Sequence, residues 1–296
     1  MKKILIVGGS GYIGSHFGIT YPRSKIVSTY LKTKVDNGVF FDLSTSKLHD
    51  VIAFPNEFSH VLIMAGIVRF NNITDNLTKA YDVNVNSVKK LVDDIVNMGL
   101  IPVFISSESV FDGDNGGYTE EDEPNPIFDY GMHKYKVEEY IKKVASSYLI
   151  IRLAKVFDSN FDKPTLISGW INDLNHNKNI YCANDHVFSP IHIEDVVRYI
   201  EKLIEMGETG IFHVCSQDLK SRLQMLEYLI NRYANYAPYV GTVIEQPLHS
   251  FKGAENIPLN TSMNPKKIIK TVGIYPRNFS WWADTLIGEF FSREME

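Results

Sequence analysis

Residues 4–14 read Ile4-Leu5-Ile6-Val7-Gly8-Gly9-Ser10-Gly11-Tyr12-Ile13-Gly14, and this stretch decides the fold. Four apolar residues without alternation predict a strand covered on both faces, as in a parallel sheet. The glycines that follow are spaced G-x-x-G-x-x-G and lead into a short helical segment. Gly8 lets the chain turn sharply off the strand. Gly11 lets backbone N–H groups approach phosphate oxygens, and Gly14 lets the helix pack close to the sheet. A glycine-rich turn alone says little. Between an apolar strand and a helix, it reads as a dinucleotide-binding turn, with Gly8, Gly11, Tyr12, Ile13 and Gly14 as its contacts.

Outward from this turn, the first half alternates short apolar runs with longer amphipathic segments. Further strands are expected at Ile26–Ser28, Val39–Phe41, Val61–Met64, Val103–Ile105 and Tyr148–Ile151. Between them, Leu77, Tyr81, Val85, Val88, Val92 and Ile95 recur at helical steps, with Gly99 placed to cap the C-terminus. Alternation of this kind predicts an α/β protein with a doubly wound parallel sheet. After about residue 155 the pattern loosens. Helices are expected at Glu194–Met206 and Ser221–Tyr233, a strand at Gly210–Cys215, and loops at 158–165 and 236–265. The expected organisation is a dinucleotide-binding domain over 1–155. A smaller, less regular substrate-binding region follows over 156–296, with some of its segments returning to the first domain.

Composition sets the class. The chain has 296 residues, 44% hydrophobic and 22% charged, which is globular and long enough to bury a core without staples. A net charge of -5 argues against a nucleic-acid partner. Cys182 and Cys215 form neither a disulfide framework nor a thiolate zinc site. No apolar run approaches the length of a membrane span, so a soluble, cytoplasmic protein is expected.

The second strand bears on which dinucleotide is bound. An NAD site places Asp or Glu about 20 residues after the glycine turn, to hold the ribose hydroxyls. From Gly9 to Val35 no acidic residue occurs, whereas Lys32 and Lys34 sit just past the strand. A lysine attracts a 2′-phosphate, so NADP is favoured with Lys32 as the contact, and NAD is kept as the alternative. Asp42, with Leu43 beside it, is the candidate for the adenine edge.

Tyr130-Gly131-Met132-His133-Lys134 matches Y-x-x-x-K, as do Tyr21 to Lys25 and Tyr30 to Lys34. Context separates them. Tyr130 continues through Lys134, Val137, Ile141 and Val144 along one helical face, and Lys136, Glu138, Glu139, Lys142 and Lys143 are assigned to other faces. A lysine on an apolar stripe needs a partner or a cleft. The ammonium is expected to stabilise the phenolate and bring the tyrosine pKa down toward neutrality, fitting it for acid–base work. Ser106 and Ser107 stand at the carboxyl end of the Val103–Ile105 strand, where open α/β sheets bind ligands.

With these residues in hand, the sequence resembles the extended short-chain dehydrogenase/reductase family. Within it, the chain is similar to the dTDP-4-dehydrorhamnose reductase branch of nucleotide-sugar enzymes. The likeness rests on Gly8/Gly11/Gly14, Ala65-Gly66, Asn84, the run Ser106-Ser107-Glu108-Ser109-Val110-Phe111-Asp112-Gly113, Tyr118-x-Glu120-x-Asp122 and Tyr130-Gly131-x-x-Lys134. A thinner likeness runs on through Arg152, Ser189-Pro190, Asp195 and Gly210-Ile211-Phe212-His213. The resemblance implies a Rossmann-like fold and a cofactor site that includes Ala65, Gly66 and Asn84. Ser107 takes the catalytic Ser/Thr position, Tyr130 the acid/base and Lys134 the ribose-binding lysine. The implied reaction passes hydride between the nicotinamide and a sugar carbonyl while Tyr130 handles the oxygen's proton. Glu108 stands where the branch has Asp, Ser109 where it has Tyr and His133 where it has Ser, so the sugar is left open. Lack of a second carboxylate after Glu108 disfavours dehydration. An epimerase, a dehydrogenase and a non-catalytic cofactor-binding regulatory subunit stay open beside the reductase. The expected partner is a nucleotide sugar, and a homodimer is the expected assembly where one forms.

The remaining signals are set aside or held in reserve. Six acidic residues between Asp112 and Glu123 partly fit a calcium-loop template, but a strand precedes them and position 5 is Gly116, so a solvated loop is expected. The histidines have no metal-ligand spacing, and no metal is expected. Glu108, Trp170 and His186 are candidates for substrate contact, with core packing the alternative for Trp170 and ordinary hydrogen bonding for His186.

Overall fold

The computed structural model describes residues 2–68 and 73–294, apart from the side chains of Arg23 and Glu294. β1 (Lys3–Val7) is followed by a helix at Tyr12–Thr20, then β2 (Ile26–Tyr30), β3 (Val39–Phe40), β4 (Phe58–Ile63), β5 (Ile101–Ser107) and β6 (Leu149–Leu153). Together with the strand Gly210–Val214 these form one seven-stranded sheet. Its order is β3-β2-β1-β4-β5-β6 with Gly210–Val214 outermost. β1 pairs in parallel with β2 on one side and β4 on the other, with Leu5 opposite both Val27 and Val61. β2 pairs with β3 and β4 with β5, again in parallel. The chain winds outward in both directions from β1, which puts the topological switch point beside the glycine turn, where open α/β sheets bind ligands.

The apolar strands account for the burial. Leu5, Val61 and Ile150 have no measurable exposure, and they pack against the helical residues Val92, Val137 and Ile141. The helix Leu77–Tyr81 runs through a wider π-turn, Asp82–Ser87, into the helix Val88–Asn97. The periodic apolar stripe spans all three segments, and Gly99 follows with φ +70°.

The chain divides into two compact units. The first holds 1–110, 124–152 and 197–212; the second holds 111–123, 153–196 and 213–296. The second has its own core, in which the helices Leu166–Asn175, Arg222–Tyr233 and Phe279–Glu294 contribute Trp170, Leu229 and Leu286. The stretch 236–265, expected as loop, contains the strand Val243–Gln246, paired in parallel with Ile180–Ala183. Half-exposed Val-Ile-Glu-Gln has no strong local strand signal, and its partner lies some sixty residues earlier. The acidic loop differs as well: Asp112 accepts a 2.5 Å hydrogen bond from the Tyr118 hydroxyl, and Glu120 accepts one of 2.8 Å from the His213 N–H. Among the described residues no cluster of His, Cys, Asp or Glu is arranged to hold a metal ion, and no helix is long and apolar enough to cross a membrane.

Candidate active site

Sterics shape the glycine turn. Gly8 has φ +97°, and a Cβ there would lie 2.7 Å from the Ala65 nitrogen. At Gly14 a Cβ would meet the Gly8 carbonyl oxygen at 2.5 Å. The Gly11 N–H donates to that carbonyl at 3.0 Å, closing the turn. Gly11 caps the helix Tyr12–Thr20 with no side-chain hydrogen bond of its own to the first turn. A helix N-terminus without a capping side chain, over a turn with no room for a Cβ at Gly8 or Gly14, lets phosphate oxygens approach backbone, and these residues fit a dinucleotide.

Around this cradle the other candidates take distinct places. Ala65 packs on Gly8 through its own N–H, which donates to the Val7 carbonyl. Asn84 sits in the π-turn and clamps the loop after β4: it accepts from the Ile67 N–H at 2.7 Å and donates to the Ile67 carbonyl at 2.8 Å. A Cβ on Gly66 would lie 3.0 Å from the Asn84 amide oxygen. Asn84 therefore shapes the loop rather than offering a spare amide. Lys32 is exposed just past β2. Asp36, the first acidic residue after the glycine turn, lines a surface hollow together with Gly9 and Ser28. The Asp42 carboxylate accepts from the Ser44 N–H at 2.8 Å, fixing the turn after β3, with Leu43 half-buried beside it.

The second cluster lies where the carboxyl end of β5 meets the helix Asp129–Val144. Ser107 hydrogen-bonds Tyr130, and Glu108 lies near enough to act on the phenol through its charge. The Lys134 ammonium donates to the Ile105 carbonyl at 2.7 Å and lies 5.6 Å from the Tyr130 ring centre. Gly131 makes this junction possible. A Cβ there would stand 2.0 Å from the Ser109 carbonyl oxygen, so backbone meets backbone where the helix starts. His133 is buried, edge-on to Tyr81 and 3.4 Å from the Asn84 amide nitrogen.

Electrostatics overturn one expectation. Burial, with the Glu108 charge behind it, pushes the Tyr130 phenol up to about 12, against a smaller opposite pull from Ser107. Burial also draws Lys134 down to about 8, with Glu138 opposing. The ammonium donates to the Ile105 carbonyl, and burial with Glu108 keeps the phenol from being brought toward neutrality. At neutral pH Tyr130 is a protonated phenol, the state a proton donor requires.

Glu138 is a second correction. Sequence periodicity assigned it to another face, yet it is fully buried, one helical turn past Lys134. Its carboxylate takes Arg152 Nη2 at 2.8 Å and the Ser106 hydroxyl at 2.5 Å. The i,i+4 step from Lys134 was the available signal.

Two remaining candidates belong to the second unit. Trp170 is 5% exposed and packs in that unit's core with Leu226 and Leu286, the core alternative raised for it above. His186 is half-buried, and burial followed by the charges of Arg222, Lys155 and His249 lowers its pKa to about 3, so it is neutral.

Residues 1–290 match the family model for the RmlD substrate binding domain. The chain belongs to that family. Similar curated proteins include a dTDP-4-dehydrorhamnose reductase from Aggregatibacter actinomycetemcomitans, 23% identical with 94% of this chain and 96% of that protein covered. Another is the methionine adenosyltransferase 2 subunit beta of Bos taurus, also 23% identical, over 93% of this chain and 84% of that protein. Among solved structures, a dTDP-4-dehydrorhamnose reductase from Bacillus anthracis in complex with NADP superposes with a TM-score of 0.82 at 20% identity, covering 99% of this chain and 100% of that one. That likeness matches the Rossmann-like architecture of this RmlD-family chain.

Proposed function

We propose that this chain is an NADPH-dependent reductase of a nucleotide-linked 4-keto sugar, with Tyr130 as proton donor. The observation that carries the reading is the grouping of Tyr130 with Ser107 and Lys134 at the carboxyl end of β5, where the Lys134 ammonium donates to the Ile105 carbonyl and lies 5.6 Å from the Tyr130 ring centre. When bound, the nicotinamide supplies the hydride for the sugar's carbonyl carbon. The protein supplies the rest. The turn at Gly8, Gly11 and Gly14 seats the pyrophosphate, and Lys32 meets the 2′-phosphate. Ser107 orients the carbonyl oxygen, and Tyr130 gives that oxygen its hydroxyl proton. Lys134, anchored on the Ile105 carbonyl, takes the ribose-binding place that the family resemblance implies. Family membership and the likeness to a curated dTDP-4-dehydrorhamnose reductase support the substrate class.

NADPH oxidation followed by absorbance over a panel of dTDP- and UDP-linked 4-keto sugars tests this. One member of the panel should turn over, and Tyr130→Phe should lower that turnover at least about 100-fold with NADPH affinity nearly unchanged. Wild-type turnover in the variant, or an inert wild type across the panel, overturns the reading. A second reading has support of its own, because similar proteins carry the name methionine adenosyltransferase 2 subunit beta. If the chain is instead a non-catalytic subunit, it binds NADPH without turnover and captures a methionine adenosyltransferase.

A further inference from the structure

Glu138 is more deeply buried than either Lys134 or Tyr130. Four hydrogen bonds converge on its carboxylate: Ser106 Oγ at 2.5 Å, Arg152 Nε at 3.2 Å to each oxygen, and Arg152 Nη2 at 2.8 Å. Lys134, one turn earlier, donates to the Ile105 carbonyl. Two successive turns of one helix thus grip two successive residues of β5, first through an ammonium and then through a carboxylate. The residue after this pair is Ser107. A buried ion pair is a poor device for stability alone, since well-packed apolar side chains often serve as well. Its position under the reacting groups calls for another explanation.

We propose that Glu138, locked by Arg152 and Ser106, is a positioning residue that holds Lys134 as a charged ammonium on the Ile105 carbonyl, and with it the register between Tyr130 and Ser107. Burial works against that charge, and the Glu138 carboxylate is the group that opposes burial. Glu138 is the charge that acts on Lys134; of the ionisable groups next to this pair, Tyr130 is acted on by Glu108, His133 by Asp129, Lys136 and Lys134, and Arg152 is paired with Glu138. Among these, Glu138 is the acid one turn away whose geometry is fixed from two strands. The consequence for turnover rests on the reductase reading; the consequence for the charge of Lys134 does not.

Competitive acylation of the cofactor-free protein across pH, read by mass spectrometry on the peptide containing Lys134, measures that charge directly. Wild type should titrate near 8. Glu138→Gln should titrate about one pH unit lower. That variant strands Arg152, so it is paired with Glu138→Gln/Arg152→Gln, which removes both charges. The double variant should regain much of the thermal stability while Lys134 still titrates below wild type. Where NADPH turnover is measurable, the alkaline limb of kcat/KM should move down with it. A Lys134 titration that returns to the wild-type value along with stability in the double variant, or never moves in either variant, overturns the proposal. An enzyme-inactive wild type with a shifted Lys134 would sink the reductase reading and leave this one standing.

Discussion

Replacing Gly131 by Ala is the sharpest perturbation available, because the structure fixes its magnitude. An added Cβ would lie 2.0 Å from the Ser109 carbonyl oxygen. Carbon and carbonyl oxygen approach to about 3.3 Å at closest, so the helix start and the 107–110 segment must separate by more than about 1 Å. Neither side can yield cheaply. The obstacle is backbone, Pro126 Cβ closes the space at 3.0 Å, and Tyr130 is the adjacent residue. Helix propensity favours alanine by up to about 1 kcal/mol, whereas overpacking costs about 1–3 kcal/mol, so a modest net loss of stability is expected. The larger effect is on geometry. Displacing reacting groups by about 1 Å costs on the order of 100-fold in rate, and that loss should appear in kcat with cofactor affinity little changed. NADPH oxidation with the best nucleotide sugar, alongside a thermal melt, is the assay. Gly18→Ala is the control: nothing lies within 4 Å of its Cβ position, so it should be neutral or slightly stabilising. If Gly131→Ala kept kcat within about threefold of wild type, the idea that backbone contact at Gly131 sets Tyr130 against Ser107 would fail.

Other expectations follow from the same geometry. Reduction should lose activity through an alkaline limb near pH 8, where Lys134 gives up its proton, and not near 10, because Tyr130 keeps its own proton to about 12; a pH profile of kcat/KM flat to pH 10 would contradict this. Lys32→Ala should narrow any preference for NADPH over NADH, and Asp36→Asn, which removes the carboxylate beside Gly9 and Ser28, should widen it; equal binding constants in all three proteins would remove the 2′-phosphate argument. Asn84→Ala strands the Ile67 N–H and carbonyl, so about 1–3 kcal/mol of stability should go, with weaker dinucleotide binding measured calorimetrically. His60, buried in β4, titrates near 4 instead of 6.5. The unfolded chain therefore binds the extra proton first, and stability should fall as pH drops from about 6.5 toward 4. His60→Leu should flatten part of that slope in a series of melts.

What the sequence disclosed tracks the range of the interaction. β1 and its glycines were legible because each demand is local: an apolar strand, a positive φ at Gly8, no room for a Cβ at Gly14. The apolar stripe from Leu77 to Ile95 was legible for the same reason, although its π-turn was not, since widening one turn leaves little trace in a pattern of apolar steps. Val243–Gln246 was missed because its pairing partner is distant and its own residues are half-exposed. At the candidate site, Tyr130 and Lys134 came from motif and periodicity together and Ser107 from its place at a strand end and the family resemblance, but the sign of the tyrosine's shift did not. Spacing tells that an ammonium lies one turn away; it does not tell that the ammonium donates to a carbonyl or that Glu108 faces the phenol.

That sign fixes the protonation state from which Tyr130 starts. An oxidising enzyme needs its tyrosine to take a proton from a sugar hydroxyl, which favours a phenolate near neutral pH. Here burial and a neighbouring carboxylate work together to keep the proton on Tyr130, while Lys134 is engaged by β5 and, one turn on, faced by Glu138. Burial and Glu108 keep the phenol protonated at neutral pH and, by raising its pKa, make it a weaker acid, so its proton leaves only toward an oxygen that becomes strongly basic as hydride arrives. Glu108 is therefore the lever: Glu108→Gln removes the charge that opposes the phenolate and should lower the Tyr130 pKa below 12. Ultraviolet difference titration of tyrosinate, compared with the Tyr130→Phe difference spectrum, reads that shift without substrate. An unmoved tyrosinate titration would detach Glu108 from the phenol altogether.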